Sequence, residues 1–366
     1  MPGTIGFPTR RGLLTALAGA GLMEFAPPIL RAQGVKGNRV LVCLYDFEGN
    51  DSNNLIVPLD GRQYAAYRSA RGVLALDQAS LLSAQTTSGA EIGFHPSMPE
   101  MRDFFSMGRL AVVANVGNAS PPSPRSFLDS DLKFLPGAIA APQWAAAFTG
   151  SGSISTKEVE LGLSGRISGG SIVRLASGGA GDPKAARKLA TQFPKNPAGK
   201  QLQKVAAALT QGSNESQFFF VPVRSFGTGA NQGESHASAM RDLSQAMAAF
   251  LNATVELGIS RNVTTYTDGV FNRTMAPTPR GGSSPAWGGH QLVMGDSVVG
   301  AQIYGSFPDF RLGGPNDASK TGIWIPGITK AQYHTALARW AGVSDWQIRQ
   351  TFPSTGAQEP ELAFLA

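Results

Sequence analysis

Cysteine, histidine and long apolar runs are what this chain has least of. One cysteine, Cys43, occurs in 366 residues, so no disulfide can form within a single copy. It sits in the apolar run Val40-Leu41-Val42-Cys43-Leu44-Tyr45, which reads as a buried strand, and its thiol reads as part of the core. Four histidines set a low ceiling on any imidazole-rich metal site. No segment beyond residue 32 reaches the about 20 apolar residues of a bilayer-spanning helix. Charged residues make up 15% of the chain and the formal charge is +6. The basic residues are scattered without interleaved aromatics, so the sequence carries no nucleic-acid footprint. A hydrophobic content of 42% belongs to a globular protein and excludes a disordered or multi-spanning chain.

The amino terminus is a separate matter. Pro8-Thr9-Arg10-Arg11-Gly12-Leu13-Leu14 places paired arginines before a mild Ala/Gly-rich run, Leu13 to Leu22, which Pro27-Pro28 breaks. Paired arginines, no acid before Glu24 and a small-residue core predict a twin-arginine signal read by the Tat export machinery, in preference to an amphipathic helix. Cleavage is expected near Ala32-Gln33. Leu30 occupies a position where a small residue is preferred, which leaves an uncleaved leader as the alternative. The expected organisation is a signal peptide over 1–32 and one domain over 33–366, in the periplasm or outside the cell.

The mature chain alternates short β-rich runs with helical periodicity. Arg39 to Tyr45, Leu110 to Val116, Phe218 to Val223 and Val263 to Tyr266 read as strands bounded by polar, Gly or Pro residues. Met240, Leu243, Met247, Phe250, Leu251 and Leu257 mark one face of a helix over His236 to Leu257. Further helices are expected after His95-Pro96, where Met98, Met101, Phe104 and Phe105 recur, and over Lys330 to Trp340. Gly/Ser/Pro-rich loops are expected at Ser151 to Gly181 and Pro277 to Pro285. Such alternation implies an α/β fold with a mainly parallel sheet flanked by helices. In such sheets the loops after strand C-termini carry the site, here Asp46 to Asn54, Gly117 to Phe127, Arg224 to Gln232 and Thr267 to Thr274.

The same loops carry a family resemblance. Glu48-Gly49-Asn50-Asp51-Ser52-Asn53-Asn54-Leu55-Ile56-Val57-Pro58, His95-Pro96, Gly108-Arg109-Leu110-Ala111-Val112-Val113 and Asn115-Val116-Gly117 come first. Ala230-Asn231-Gln232, Phe271-Asn272-Arg273-Thr274, Trp287-Gly288-Gly289-His290 with Leu292-Val293-Met294-Gly295, and Tyr304-Gly305-Ser306-Phe307-Pro308 follow. In order and spacing, from Asn38 to about Pro353, the chain resembles the Tat-exported domain-of-unknown-function 1501 family. The resemblance implies an alkaline phosphatase/sulfatase-like α/β fold. In that superfamily, acids and histidines at these loops hold one or two metal ions beside a hydroxyl nucleophile, and the cations neutralise ester oxygens and activate the attacking oxygen.

Several of the implied ligand positions are changed here. Asp51 survives after Gly49-Asn50. The family's Arg-Ser-His-Phe segment becomes Pro124-Arg125-Ser126-Phe127, without its histidine. Ser225-Phe226-Gly227-Thr228-Gly229 carries glycines where the family has Asp and His. Val270 replaces an acid, and Ser284-Pro285-Ala286-Trp287 lacks the Asp-His pair. Of the histidines, His95 reads as structural at a helix start, His236 and His334 as surface or packing residues, and His290 as a remnant of the site.

Two functions follow from the resemblance, and the sequence keeps both open. One is a non-catalytic relative with a binding or surface-assembly role, without cofactor, its partner a second exported protein of the kind that often accompanies the family. The other is a phosphate- or sulfate-ester hydrolase: Asp51 and His290 hold one divalent ion (zinc, calcium or manganese), Ser126 is the nucleophile, and Arg125 and Arg273 meet the substrate oxyanion, which guanidinium forks suit. A metal-free serine hydrolase is disfavoured, because Gly162-Leu163-Ser164-Gly165-Arg166 ends in arginine where a nucleophile elbow needs glycine.

Overall fold

The computed structural model describes residues 38–46, 49–118, 173–176, 188–212, 216–223, 229–269, 271–351 and 362–366. The expected leader, and with it the cleavage site, lies outside them. Gly37–Ala366 forms one compact unit.

The strands are β1 (Val40–Asp46), β2 (Ile56–Pro58), β3 (Leu82–Gln85), β4 (Glu91–Phe94), β5 (Leu110–Gly117), β6 (Val173–Ala176), β7 (Gln217–Val223), β8 (Val263–Gly269), β9 (Asn272–Arg273), β10 (Pro285–Ala286), β11 (Gly289–Met294), β12 (Ile303–Tyr304) and β13 (Ile328–Thr329). The α-helices are α1 (Gly61–Arg71), α2 (Pro99–Ser106), α3 (Pro197–Leu209), α4 (Gln232–Glu256), α5 (Lys330–Trp340) and α6 (Asp345–Thr351). Among the described residues the main sheet has the order β12-β5-β11-β8-β1-β7-β6, with β13 also paired to β5. β1 runs parallel to both β7 and β8, and β12 and β13 run parallel to β5. A smaller sheet, β2-β4-β3, stands apart.

The expected mainly parallel α/β architecture is present, and its cause is visible along β1. Val40, Val42 and Leu44 face a core shared with Met101 and Phe105 of α2, Leu202 and Val205 of α3, and Met240 and Met247 of α4. Leu41 and Cys43 face a second core with Tyr333 and Leu337 of α5, Ile348 of α6 and Phe364. Strand side chains alternate between faces, so a strand covered on both sides must be apolar throughout. Cys43 is fully buried, and burial pushes its thiol well above the ordinary range. A thiol reagent such as Ellman's is therefore expected to label one cysteine only after denaturant is added; labelling of the native chain would place Cys43 elsewhere.

Some elements were not legible. β11 is antiparallel to β5 and β8, and the glycines before His290 break its alternation in the sequence. α1 lacks an aliphatic stripe: its buried positions are Tyr64, Tyr67, Ala70 and Arg71, and Asp60 caps it by accepting from Gln63 N–H. α4 starts at Gln232, four residues before the expected His236, because Asn231 takes a left-handed turn at φ 45° and the Gln232 side chain is held by a distant loop. No described helix is long and apolar enough to cross a membrane.

Candidate functional site

At the C-terminal edge of the sheet, the described parts of the loops after β7 and β8 meet residues 49–54 of the loop after β1. Gly49 turns the chain at φ +79°, and a Cβ there would stand 2.2 Å from the Phe271 ring. Only glycine satisfies both the backbone angle and the close approach. After it, the polar side chains turn inward, and each is committed.

Asp51 is fully buried. One carboxylate oxygen accepts from Asn53 Nδ2 at 3.2 Å, and the other accepts from Gln232 Nε2 and pairs with the Arg71 guanidinium. Arg71, also fully buried, donates through Nε to Asn54 Oδ1 at 3.0 Å and through one terminal nitrogen to the carbonyls of Thr274 and Met275, both at 2.9 Å. Burial pulls the guanidinium down to about 9; the carboxylate against it opposes that pull and keeps it charged. The oxygen of Gln232 accepts from Ser283 Oγ at 2.6 Å. The N–H groups of Asn231, just before α4, and of Gln232 donate to the Arg280 and Gly281 carbonyls, both at 3.0 Å.

Ser52 and Asn53 tie the loop to the strands that follow β8. Ser52 Oγ donates to Asn272 Oδ1 at 2.9 Å and accepts the His290 N–H at 2.7 Å. Asn53 donates to the Arg273 carbonyl at 2.8 Å and accepts from Trp324 Nε1 at 2.9 Å. The segment aligned with the family's Asp-His pair forms instead a short ladder, Pro285 and Ala286 pairing with Arg273 and Asn272.

His290 is buried, and its Nδ1 accepts the Asn115 N–H at 3.1 Å. That bond fixes the neutral ring with its proton on Nε2, an N–H without a partner among the described residues. Burial holds its titration down to about 3, and its ring packs edge-on against Phe307 at 4.9 Å. Asn115 stands at φ 55°, a strained angle for a side chain on a strand. Arg273 donates to the Gly49 carbonyl at 3.4 Å and the Ser283 carbonyl at 3.1 Å, and lies 5.2 Å over the Phe271 ring. The structure therefore brings Asp51, Arg273 and His290 to one loop cluster. Arg125 and Ser126 lie outside the described residues, as do Gly227 and Val270.

Two histidines expected at the surface or in packing are buried and specifically bonded. His236 Nε2 lies 3.1 Å from Asn50 Oδ1, and its ring meets that of His95 at 5.6 Å. His334 Nε2 lies 2.9 Å from Asp268 Oδ2. The other Asp268 oxygen accepts the Gly269 N–H at 2.7 Å and pairs with Lys330 at 3.3 Å. Burial raises the Asp268 carboxyl, but Lys330, His334 and that N–H outweigh it and hold it well below the carboxylate range. The available signal was the four-residue spacing of Lys330 and His334, which puts both on one helix face. Arg71 gave no such signal.

Among the described residues, no group of three or more His, Cys, Asp or Glu side chains is placed to hold a metal ion. No family model and no curated protein matches the chain. Among solved structures, Ps i-CgsB in complex with k-i-k-neocarrahexaose is 8% identical with a TM-score of 0.44, over 87% of this chain and 76% of that one. The Bacteroides thetaiotaomicron protein BT33494S-sulf, from work on the metabolism of multiple glycosaminoglycans, is 10% identical with a TM-score of 0.37, over 90% and 79%. At these values the likeness carries no inference about chemistry.

Proposed function

We propose that this chain is an exported, non-catalytic relative of the alkaline phosphatase/sulfatase-like hydrolases, with a binding or surface-assembly role. The observation that supports it is the Asp51–Arg71 pair. A carboxylate that holds a divalent ion needs a free oxygen lone pair facing further anionic or neutral ligands. Here both Asp51 oxygens are taken, and the group facing one of them is itself a cation. His290 adds to this: one ring nitrogen already accepts a backbone N–H, and the other bears a proton rather than a lone pair. The residues do not fit a bound divalent cation, and Arg71 supplies the positive charge that a metal would have supplied to Asp51.

The hydrolase alternative, with one metal on Asp51 and His290 and Ser126 as nucleophile, requires Arg71 to leave and His290 to change tautomer. Elemental analysis of the mature protein, dialysed without chelator, separates the two. Metal is expected well below one ion per chain, and zinc, calcium or manganese in excess should leave the thermal midpoint unmoved. One or two ions per chain, or hydrolysis of aryl phosphates or sulfates, defeats the proposal. With metal absent, capture of a second exported protein on the immobilised chain is the next measurement.

A further inference from the structure

We propose that the slot filled by Leu362–Ala366 is an exchange site: it takes the same segment from a second copy of this chain and so joins copies to one another. The inference builds on the assembly role by naming a second copy as the partner, and the slot stands or falls separately from the metal content that tests that role. Phe364 is fully buried. Its ring stands edge-on to Tyr304 of β12 at 5.7 Å and tilted against Tyr333 of α5 at 5.8 Å. Leu362 and Leu365 pack half-buried against the same core, while Ala363 and Ala366 are exposed. The backbone is held as well. Val299 N–H donates to the Phe364 carbonyl at 3.0 Å, and Ala366 N–H donates to the Ser297 carbonyl at 2.9 Å. Leu365 bridges Val298 in antiparallel register. The Tyr304 O–H, 3.0 Å from the Val299 carbonyl, also reaches the Ala363 carbonyl at 3.2 Å.

An extended peptide is recognised in this way: main-chain bonds fix the register, and a pocket for one large side chain supplies the selectivity. A buried aromatic is the strongest anchor in such contacts. The segment makes them with the turn after β11, with β12 and with α5. Its covalent route back to α6 runs through residues 352–361, so the connection supplies proximity and the slot supplies the contacts. The segment forms an isolated bridge outside the main sheet, and Val299 beside it is 37% exposed. It can therefore leave without any strand of that sheet separating. A second copy brings the same donors, acceptors and phenyl ring, and reciprocal exchange reproduces each contact without a new surface. Closed and exchanged forms then differ mainly in proximity. A connection of this length keeps the chain's own segment at an effective concentration on the order of millimolar, and copies crowded to that level compete for the slot.

The full chain refolded from urea at about 0.5 mM should yield dimers by light scattering, and at about 1 µM monomers alone. Two differently tagged batches refolded together at the higher concentration should place both tags in one dimer. Phe364→Ala in both batches should remove that mixed dimer. The same variant leaves the phenyl pocket open, so its thermal midpoint should rise by about 2–4 °C with millimolar Leu-Ala-Phe-Leu-Ala peptide. The peptide Leu-Ala-Ala-Leu-Ala should leave it unmoved. Monomers alone after refolding at the higher concentration would overturn the proposal, as would a Phe364→Ala chain that ignores the phenylalanine peptide. Mixed dimers that persist with Phe364→Ala in both copies would overturn it too, because another surface would then hold them. If Phe364→Ala does not fold, the parent chain decides. Millimolar Leu-Ala-Phe-Leu-Ala present during refolding should suppress dimers held by exchange, and dimers that form regardless sink the idea.

Discussion

Arg71→Ala is expected to cost the protein about 3–5 kcal/mol, measured as the shift in urea unfolding at pH 7, and to create a calcium dependence that the parent lacks. The first part follows from burial: removing one partner leaves the Asp51 carboxylate uncompensated where water cannot reach it. Asp51→Asn on top of Arg71→Ala should recover part of the loss, because the remaining group is then neutral; a double variant no better than the single would assign the cost to packing instead. The second part follows from the donor set that arginine leaves behind. Asp51, the Asn54 side-chain oxygen and the carbonyls of Thr274 and Met275 all point at the guanidinium. Oxygen ligands of this kind suit a hard cation such as calcium. Millimolar calcium should therefore raise the thermal midpoint of Arg71→Ala and leave the parent unchanged. If calcium stabilises neither protein, Arg71 is a structural strut with no relation to a cation position.

The frame of this protein was legible because its central strands are buried on both faces. β1, β5, β7 and β8 each read as short apolar runs, and α5 read to its end residues because Thr329 and Gln332 form a capping box over an ordinary helical pattern. Legibility failed where one distant contact set the structure. Gln232 joins α4 because its side chain reaches Asp51, and nothing local predicts that. Arg71 hides at the end of a helix whose buried residues are tyrosines, so neither hydrophobic period nor charge pattern marks it. The four loops at the strand ends were placed by topology alone, and the described parts of three of them, after β1, β7 and β8, do converge. What topology could not supply is protonation: His290 looks like a ligand in the sequence, and only the Asn115 N–H on its Nδ1 fixes where its proton sits.

The second large effect is expected on the opposite face of the sheet, at Asp268. This carboxylate anchors the first turns of α5 through Lys330 and His334, and Tyr333 between them donates to the Thr267 carbonyl at 3.1 Å. Asp268→Asn keeps the shape but removes the charge, leaving Lys330 without its counter-ion, and should cost about 3–5 kcal/mol at pH 7. Its pH dependence has a defined sign. Because the folded carboxyl is held below its unfolded value of about 3.9, the unfolded chain binds the proton first. The charge therefore contributes its full stability above about pH 5 and loses it progressively as the pH falls through about 4 toward the folded value. Urea midpoints of parent and Asp268→Asn should be far apart at pH 7 and should draw steadily closer as the pH falls below about 4. A gap as wide at pH 3 as at pH 7 would mean that Asp268 acts through the geometry of its hydrogen bonds, and that the attraction of Lys330 and His334 contributes little.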